Sequence, residues 1–247
     1  MTPDIEAQAI KDNIARVQAE IATACAKVNR DPNEITLVAV SKKKPVRDIL
    51  SAMDAGLTHF GENRLREAQM KIPAIAQQTD KEAIWHMIGH IQSRKAKHVV
   101  PLFDTIHSLD RPKIADYMSE VAVENEKTAS VFIQVNISGE DAKYGYELSN
   151  WQTDSAVREA FWQEVKAILT LPNLEIRGLM TMAPYSNKAE DSRPIFAELA
   201  ILRDSLREDF GLALPDLSMG MTNDFAVAIE EGATMIRVGR AIFGTRQ

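Results

Sequence analysis

The stretch ITLVAVSKKKPVRDILSAMDAG, residues 35–56, contains the unit from which the rest of the chain is read. ITLVAV is a short β-branched run bounded by polar residues, the pattern of a strand buried on both faces. SKKKP breaks it, and VRDILSAMDAG has helical periodicity closed by Gly56. Outward from there the alternation repeats. Strand LTHF (57–60) leads to a helix from Glu62 to Ala76, and IWHMI (84–88) to a helix from Gln92. TIHSL (105–109) precedes a helix over Arg111–Glu126, and SVFIQVNI (130–137) one around Val157–Leu169. EIRGLMTM (175–182) precedes Ile195–Asp209, DLSMG (216–220) precedes Asp224–Glu231, and TMIRVG (234–239) ends in a short helical RAIF.

Strands alternating with helices imply parallel pairing through right-handed crossovers. Eight such units in 247 residues favour a closed (β/α)8 TIM barrel over an open doubly wound sheet. One extra helix precedes the barrel. Ile10, Ile14, Val17, Ile21 and Val28 give it an apolar face, Thr2–Pro3 a cap, and Asn29 to Pro32 a stop. No linker or low-complexity segment divides the chain, so one domain over 1–247 is expected.

Composition narrows the function. The single cysteine, Cys25, excludes a disulfide framework and a cysteine-rich zinc site, and fits a cytoplasmic location. A net charge of -6 argues against a nucleic-acid partner, which needs a basic face. No run approaches the ~20 apolar residues that span a bilayer, and the acidic MTPDIEAQAIKDN start is no signal peptide. A small-molecule task remains.

In a barrel that task belongs to the residues just after the strands. The first strand exits through Ser41-Lys42-Lys43-Lys44. Lys42 could form a Schiff base with a carbonyl compound, since desolvation and its cationic neighbours would lower its pKa; the plainer reading is a solvated loop. The seventh exits through Ser218-Met219-Gly220-Met221-Thr222-Asn223-Asp224 and the eighth through Arg237-Val238-Gly239-Arg240, each entering a helix. These are the two loops where barrels bind phosphate, although Ser, Thr, Asn and Asp are also ordinary helix caps. Asn63 could meet a ligand or cap its helix. His86 and His90 have helical ligand spacing, but Gly89 interrupts it and no carboxylate follows, so no metal is expected. Arg94, Lys95 and Lys97 read as a solvated face or a second anion site, and the loop carrying Lys143-Tyr144-Gly145 is long enough to be functional. The methionines of RGLMTM read as core filler.

AVSK (39–42), FGEN (60–63), WHMIGHIQSRK (85–95), RGLMTM (177–182), SMGMTND (218–224) and RVGRAIFG (237–244) occur in the order found in one family. Taken together they make the chain resemble the pyridoxal-phosphate homeostasis proteins, of the alanine racemase N-terminal-domain class. The resemblance covers nearly the whole chain. It implies a modified barrel holding pyridoxal 5′-phosphate as a Schiff base on Lys42, with Lys43 where relatives often carry threonine. It places the cofactor phosphate against Ser218, Gly220, Met221, Thr222 and Gly239, Arg237 at the pyridine nitrogen, and Asn63 near the ring hydroxyl.

The implied role is cofactor binding, buffering and delivery, with apo PLP-dependent enzymes as recipients and a monomer or weak dimer as the assembly. No catalytic residue is expected. An arginine at the ring nitrogen disfavours its proton and blunts carbanion chemistry. The tyrosine base that racemases on this barrel take from a second domain is not expected in 247 residues. The alternative is a PLP-dependent amino-acid racemase. A secondary cofactor-handling site at the WHMIGHIQSRK segment or Lys143 is a further expectation.

Overall fold

A computed structural model describes residues 3–140 and 144–244. Eight parallel strands close on themselves: β1 (Thr36–Val40), β2 (His59–Glu62), β3 (Ile84–Met87), β4 (Thr105–Leu109), β5 (Ala129–Asn136), β7 (Leu174–Met180), β8 (Asp216–Met221) and β9 (Met235–Val238). They pair in that order, and β9 returns to β1 with Val38 opposite Arg237. The closed barrel expected from the strand–helix count is the one found.

Between and around the strands lie α1 (Pro3–Lys27), α2 (Val46–Asp54), α3 (Leu65–Ala76), α4 (Ala96–Val99), α5 (Pro112–Glu124), α6 (Ser155–Ile168), α7 (Arg193–Phe210), α8 (Phe225–Glu230) and α9 (Arg240–Phe243). Helix α1 buries Ile10, Ile14, Val17, Ile21, Ala24 and Cys25 against α2, α8 and α9. Val28, expected on that face, is 36% exposed, because the helix ends at Lys27 and Asn29 turns left-handed at φ 54°. Asn13 Nδ2 donates to the Ile242 carbonyl, tying α1 to the end of the barrel sequence. The expected Thr2 cap lies outside the described residues.

Three local features differ from the sequence reading. Strand β2 starts at His59, since Leu57 N donates to the Ala52 carbonyl to close α2. The helix expected from Gln92 is a 3-10 turn at Ser93–Lys95 and one turn of α4, stopped before Pro101. The long loop after β5 carries β6 (Tyr146–Glu147), which pairs with Val135 and Asn136. Gly145 makes that pairing possible: its φ is 123°, and a Cβ there would lie 3.0 Å from three backbone atoms of β5.

Candidate functional site

The C-terminal ends of the strands surround a cavity of about 700 Å³. Lys42 enters from β1, Asn63 from β2, Gly89 and His90 from β3, Met182 and Tyr185 from β7, Met221 and Thr222 from β8, and Arg237 and Gly239 from β9. Of the eight residues the sequence nominates, Lys42, Asn63, Met221, Thr222, Arg237 and Gly239 line it, whereas Ser218 and Gly220 stand behind its wall.

The three consecutive lysines have separate surroundings. Lys44 Nζ donates to the Phe243 carbonyl at 2.7 Å, Lys43 is exposed, and half-buried Lys42 faces the cavity. The backbone on both sides of Lys42 is clamped. Ser41 is fully buried; its Oγ donates to Glu62 Oε1 at 2.7 Å, and its carbonyl accepts from Lys71 Nζ at 2.7 Å. The Lys43 amide, in the left-handed region at φ 62°, donates to Glu67 Oε1 at 2.5 Å. Lys71 Nζ also contacts Glu62 at 2.9 Å and Glu67 at 2.6 Å. Burial raises the Glu62 pKa, while its bonds from Ser41 and Lys71 and the Lys71 charge pull it down. No spacing argument singles out Lys71 or Glu67, because the cluster forms only when α3 packs beside the exit of β1.

The β8 exit is shaped by a bulge. Ser218 pairs with Met235 and Met221 with Arg237, so β8 carries one extra residue there. Gly220 occupies the bulge at φ 90°, and a Cβ on it would lie 2.6 Å from Ala228 Cβ and 2.9 Å from Phe225 Cα. Only glycine fits. The Met221 amide donates to Asp224 Oδ1 at 2.6 Å, and Ser192 Oγ donates to Asp224 Oδ2 at 3.2 Å. Asp224 therefore pins the turn that presents Thr222, rather than capping α8 through its side chain.

Ser218 is 0% exposed and 2.5 Å from Arg237 Nη1, which donates to its Oγ. Arg237 Nη2 donates to the Thr181 carbonyl at 2.8 Å. Burial pulls the Arg237 pKa down to about 10, opposed by the Asp224 charge. The guanidinium is thus a fixed, desolvated donor group in the cavity wall.

Asn63 and Gly89 meet through backbone. A Cβ on Gly89 would lie 2.3 Å from the Asn63 carbonyl oxygen and 2.8 Å from its carbonyl carbon and Cα. Gly89→Ala is expected to lower the unfolding free energy by about 1–3 kcal/mol through this overpacking. A denaturant titration checks it, and an unchanged midpoint would contradict the close approach.

His86 and His90, spaced like metal ligands, diverge. His86 lies inside the barrel, whereas His90 Nδ1 bonds Asp110 Oδ2 at 2.7 Å and its ring stacks on Tyr144 at 3.9 Å. Arg94, Lys95 and Lys97 are exposed on the 3-10 turn and α4, away from the cavity wall. Lys143 lies outside the described residues. Met180 is core, as expected, but Met182 lines the cavity. Sequence reasoning missed Tyr185, which is 77% exposed at the mouth, and Gln134, whose Nε2 holds the Tyr144 carbonyl at 2.9 Å. Loop aromatics and a lone strand glutamine carry no local signal.

The family described as alanine racemase, N-terminal domain, matches residues 5–247. A pyridoxal phosphate homeostasis protein of Aquifex aeolicus is 40% identical over 236 residues, 96% of this chain and 98% of the relative. Its counterpart in Escherichia coli is 35% identical over 237 residues, 96% and 97% of the two chains. Among solved structures, PipY of Synechococcus elongatus with PLP bound superposes with TM-score 0.80 at 32% identity, covering 95% of this chain and 100% of that one. An alanine racemase of Clostridium difficile shares the fold with TM-score 0.71 at 12% identity, covering 97% of this chain and 57% of that one. With such identity over almost its full length, and the barrel of the alanine racemase N-terminal domain beneath it, this chain belongs to the pyridoxal phosphate homeostasis protein family.

Proposed function

We propose that the cavity binds pyridoxal 5′-phosphate and that the protein holds, buffers and delivers this cofactor without turning over an amino acid. The observation that carries this reading is the meeting of Lys42 and the buried Arg237 in one cavity wall. The residues suit the group. A cavity of about 700 Å³ is ample, the amine of Lys42 is the nucleophile a cofactor aldehyde needs, and the glycine-shaped turn at Gly220 brings Thr222 to the wall for a phosphate. Gly239 adds close backbone approach from β9, where a Cβ would come 3.3 Å from Val40 Cβ.

Bound there, the cofactor supplies an aldehyde carbon that captures amines and a ring that withdraws electrons when its nitrogen is protonated. Lys42 would hold the aldehyde covalently and Thr222, Met221 and Gly239 the phosphate. Asn63 is assigned to the ring hydroxyl. Ser218 and Gly220, both in the assigned set, would act from behind the wall: Ser218 by fixing Arg237, Gly220 by shaping the turn. Arg237 is assigned to the ring nitrogen. A cation there opposes protonation of that nitrogen, so the site favours storage over carbanion chemistry. Delivery would be to apo PLP-dependent enzymes in the cytoplasm. Among the described residues no helix is long and apolar enough to cross a membrane.

The purified protein mixed with pyridoxal phosphate is expected to show the visible absorbance of a lysine-bound cofactor, and borohydride should fix the label on Lys42. Lys42→Ala is expected to lose the colour completely. A wild-type protein that stays colourless would overturn the reading.

One observation favours the racemase alternative: His90, oriented by Asp110, stands in the cavity wall as a candidate proton acceptor. Incubation with L- or D-alanine in deuterated water separates the two. Scrambling no faster than with free cofactor is expected, and faster scrambling lost in His90→Gln would establish the enzyme.

A further inference from the structure

Each of β2, β3 and β4 carries one histidine, and the three form a single hydrogen-bonded chain inside the barrel. His59 Nδ1 lies 2.9 Å from His86 Nε2, His86 Nδ1 lies 2.9 Å from His107 Nε2, and His107 Nδ1 lies 2.8 Å from Ser218 Oγ. The chain then continues through Ser218 to Arg237. His107 is 0% and His86 1% exposed, whereas His59, at the start of β2 and so at the end away from the cavity, is only half-buried. His107 also stacks on Phe132 with ring centroids 4.6 Å apart, which fixes its plane. A barrel interior is ordinarily filled by Val, Ile and Leu, so three polar rings in contact call for a reason.

The hydrogen bonds have one self-consistent direction. A neutral imidazole has one donor and one acceptor nitrogen, so the tautomer of one ring dictates that of the next. Burial holds all three rings neutral, lowering His86 to about 3 and His59 and His107 below the usual histidine value. Were the protons directed from His59 toward Ser218, Ser218 Oγ would accept from both His107 and Arg237. Its own hydroxyl proton would then have no partner among the described residues. In the other direction every group is satisfied. Ser218 donates to His107 Nδ1, His107 Nε2–H to His86 Nδ1, and His86 Nε2–H to His59 Nδ1. The last proton, on His59 Nε2, sits at the end of the chain that water can reach.

We propose that His59, His86 and His107, all as Nε2–H tautomers, are positioning residues for Arg237. They turn the Ser218 hydroxyl proton away from the guanidinium, so that the oxygen lone pairs fix Arg237 in the cavity wall. None of the three lines the cavity itself. The device therefore reaches across the barrel from its half-exposed end to the cofactor site. Only its effect on affinity rests on the cofactor reading above.

The first test needs no cofactor. Nitrogen–proton correlation spectra of the imidazole-labelled apo protein are expected to show protonated Nε2 and bare Nδ1 on all three rings, and a protonated Nδ1 on His107 would overturn the proposal. The second test compares two variants with pyridoxal phosphate. His107→Leu removes the acceptor of the Ser218 proton and is expected to weaken binding about tenfold or more, the loss of one hydrogen bond to a charged network. The shorter His107→Asn, whose Oδ1 stands near the position of Nδ1, is expected to stay much closer to wild type. Equal losses in both variants, or no loss in either, would sink the assignment. A third variant, His59→Gln, tests the reach of the chain: the His86 Nε2–H signal is expected to shift while His107 keeps its tautomer, and an undisturbed His86 signal would remove His59 from the chain. Should His107→Leu fail to fold, the wild-type spectra still decide. A wild-type protein that shows the expected tautomers but binds no cofactor would refute the cofactor reading and leave the chain standing.

Discussion

Lys71→Met is expected to destabilise the protein by about 3–5 kcal/mol, the cost of leaving a buried carboxylate without its cation. Lys71 is 8% exposed and Glu62 0%, and Glu62 Oε2 already has no hydrogen-bond partner among the described residues. Removing the ammonium strips Glu62 of the only cation in contact with it among the described residues. It also removes the donor that holds the Ser41 carbonyl, next to Lys42. The double variant Lys71→Met/Glu62→Gln is expected to regain most of the lost stability, because an amide tolerates burial without a counter-charge. Urea unfolding of both variants checks this. A double variant as unstable as the single one would show that the charge pair is not the source of the loss. Lys42 labelling by cofactor and borohydride in the double variant then reads whether the clamp also orients the lysine.

Acid is expected to destabilise the protein through the same histidines that cross the barrel. His86 and His107 are buried and neutral in the folded state, with pKa values below the usual 6.5. Below that pH the unfolded chain binds their two protons and the folded one does not, so stability falls as pH falls. Each ring contributes a slope of up to about 1.4 kcal/mol per pH unit for as long as it stays neutral in the folded state. For His86 the loss continues until the folded state protonates near pH 3. Glu62 works in the opposite direction: its raised pKa lets the folded state take up a proton first, which adds stability as pH falls through that value. The Glu62→Gln background removes that opposing contribution. Denaturant midpoints that stay flat from pH 7 to pH 5 in that background would refute the buried-neutral assignment.

The barrel was legible because its signal is local and repeated. A buried parallel strand needs an apolar run, its crossover helix needs an amphipathic one, and ITLVAV followed by VRDILSAMDAG displays both within 22 residues. The cavity residues at strand ends were legible for the same reason, since a parallel barrel places every strand exit on one face. Even the histidines left a trace: THF, WHM and IHS each put one polar ring in an apolar strand. What that trace lacked was register. Whether three rings on neighbouring strands touch depends on strand stagger, which residue spacing within each strand does not encode.

The elements that failed are those with weak or absent local pattern. Strand β6 has two residues and exists only because Gly145 lets its backbone reach β5. The α4 turn lost its expected length to Pro101, and Val28 lost its place in the core when Asn29 turned the chain.

Sequence by itself determined the parallel β/α barrel and the face that carries the site, and it nominated Lys42, Asn63, Met221, Thr222, Arg237 and Gly239, which the structure places in the cavity wall. Tertiary structure alone decided that Ser218 stands behind Arg237, that Lys71, Glu62 and Glu67 clamp the backbone beside Lys42, and that three histidines join into one chain. The physical reason is range. Periodicity and strand ends follow from neighbours a few residues apart, whereas buried polar groups are satisfied by partners as distant as His107 and Ser218, 111 residues apart in the chain. Only the packed barrel brings such groups within hydrogen-bonding distance.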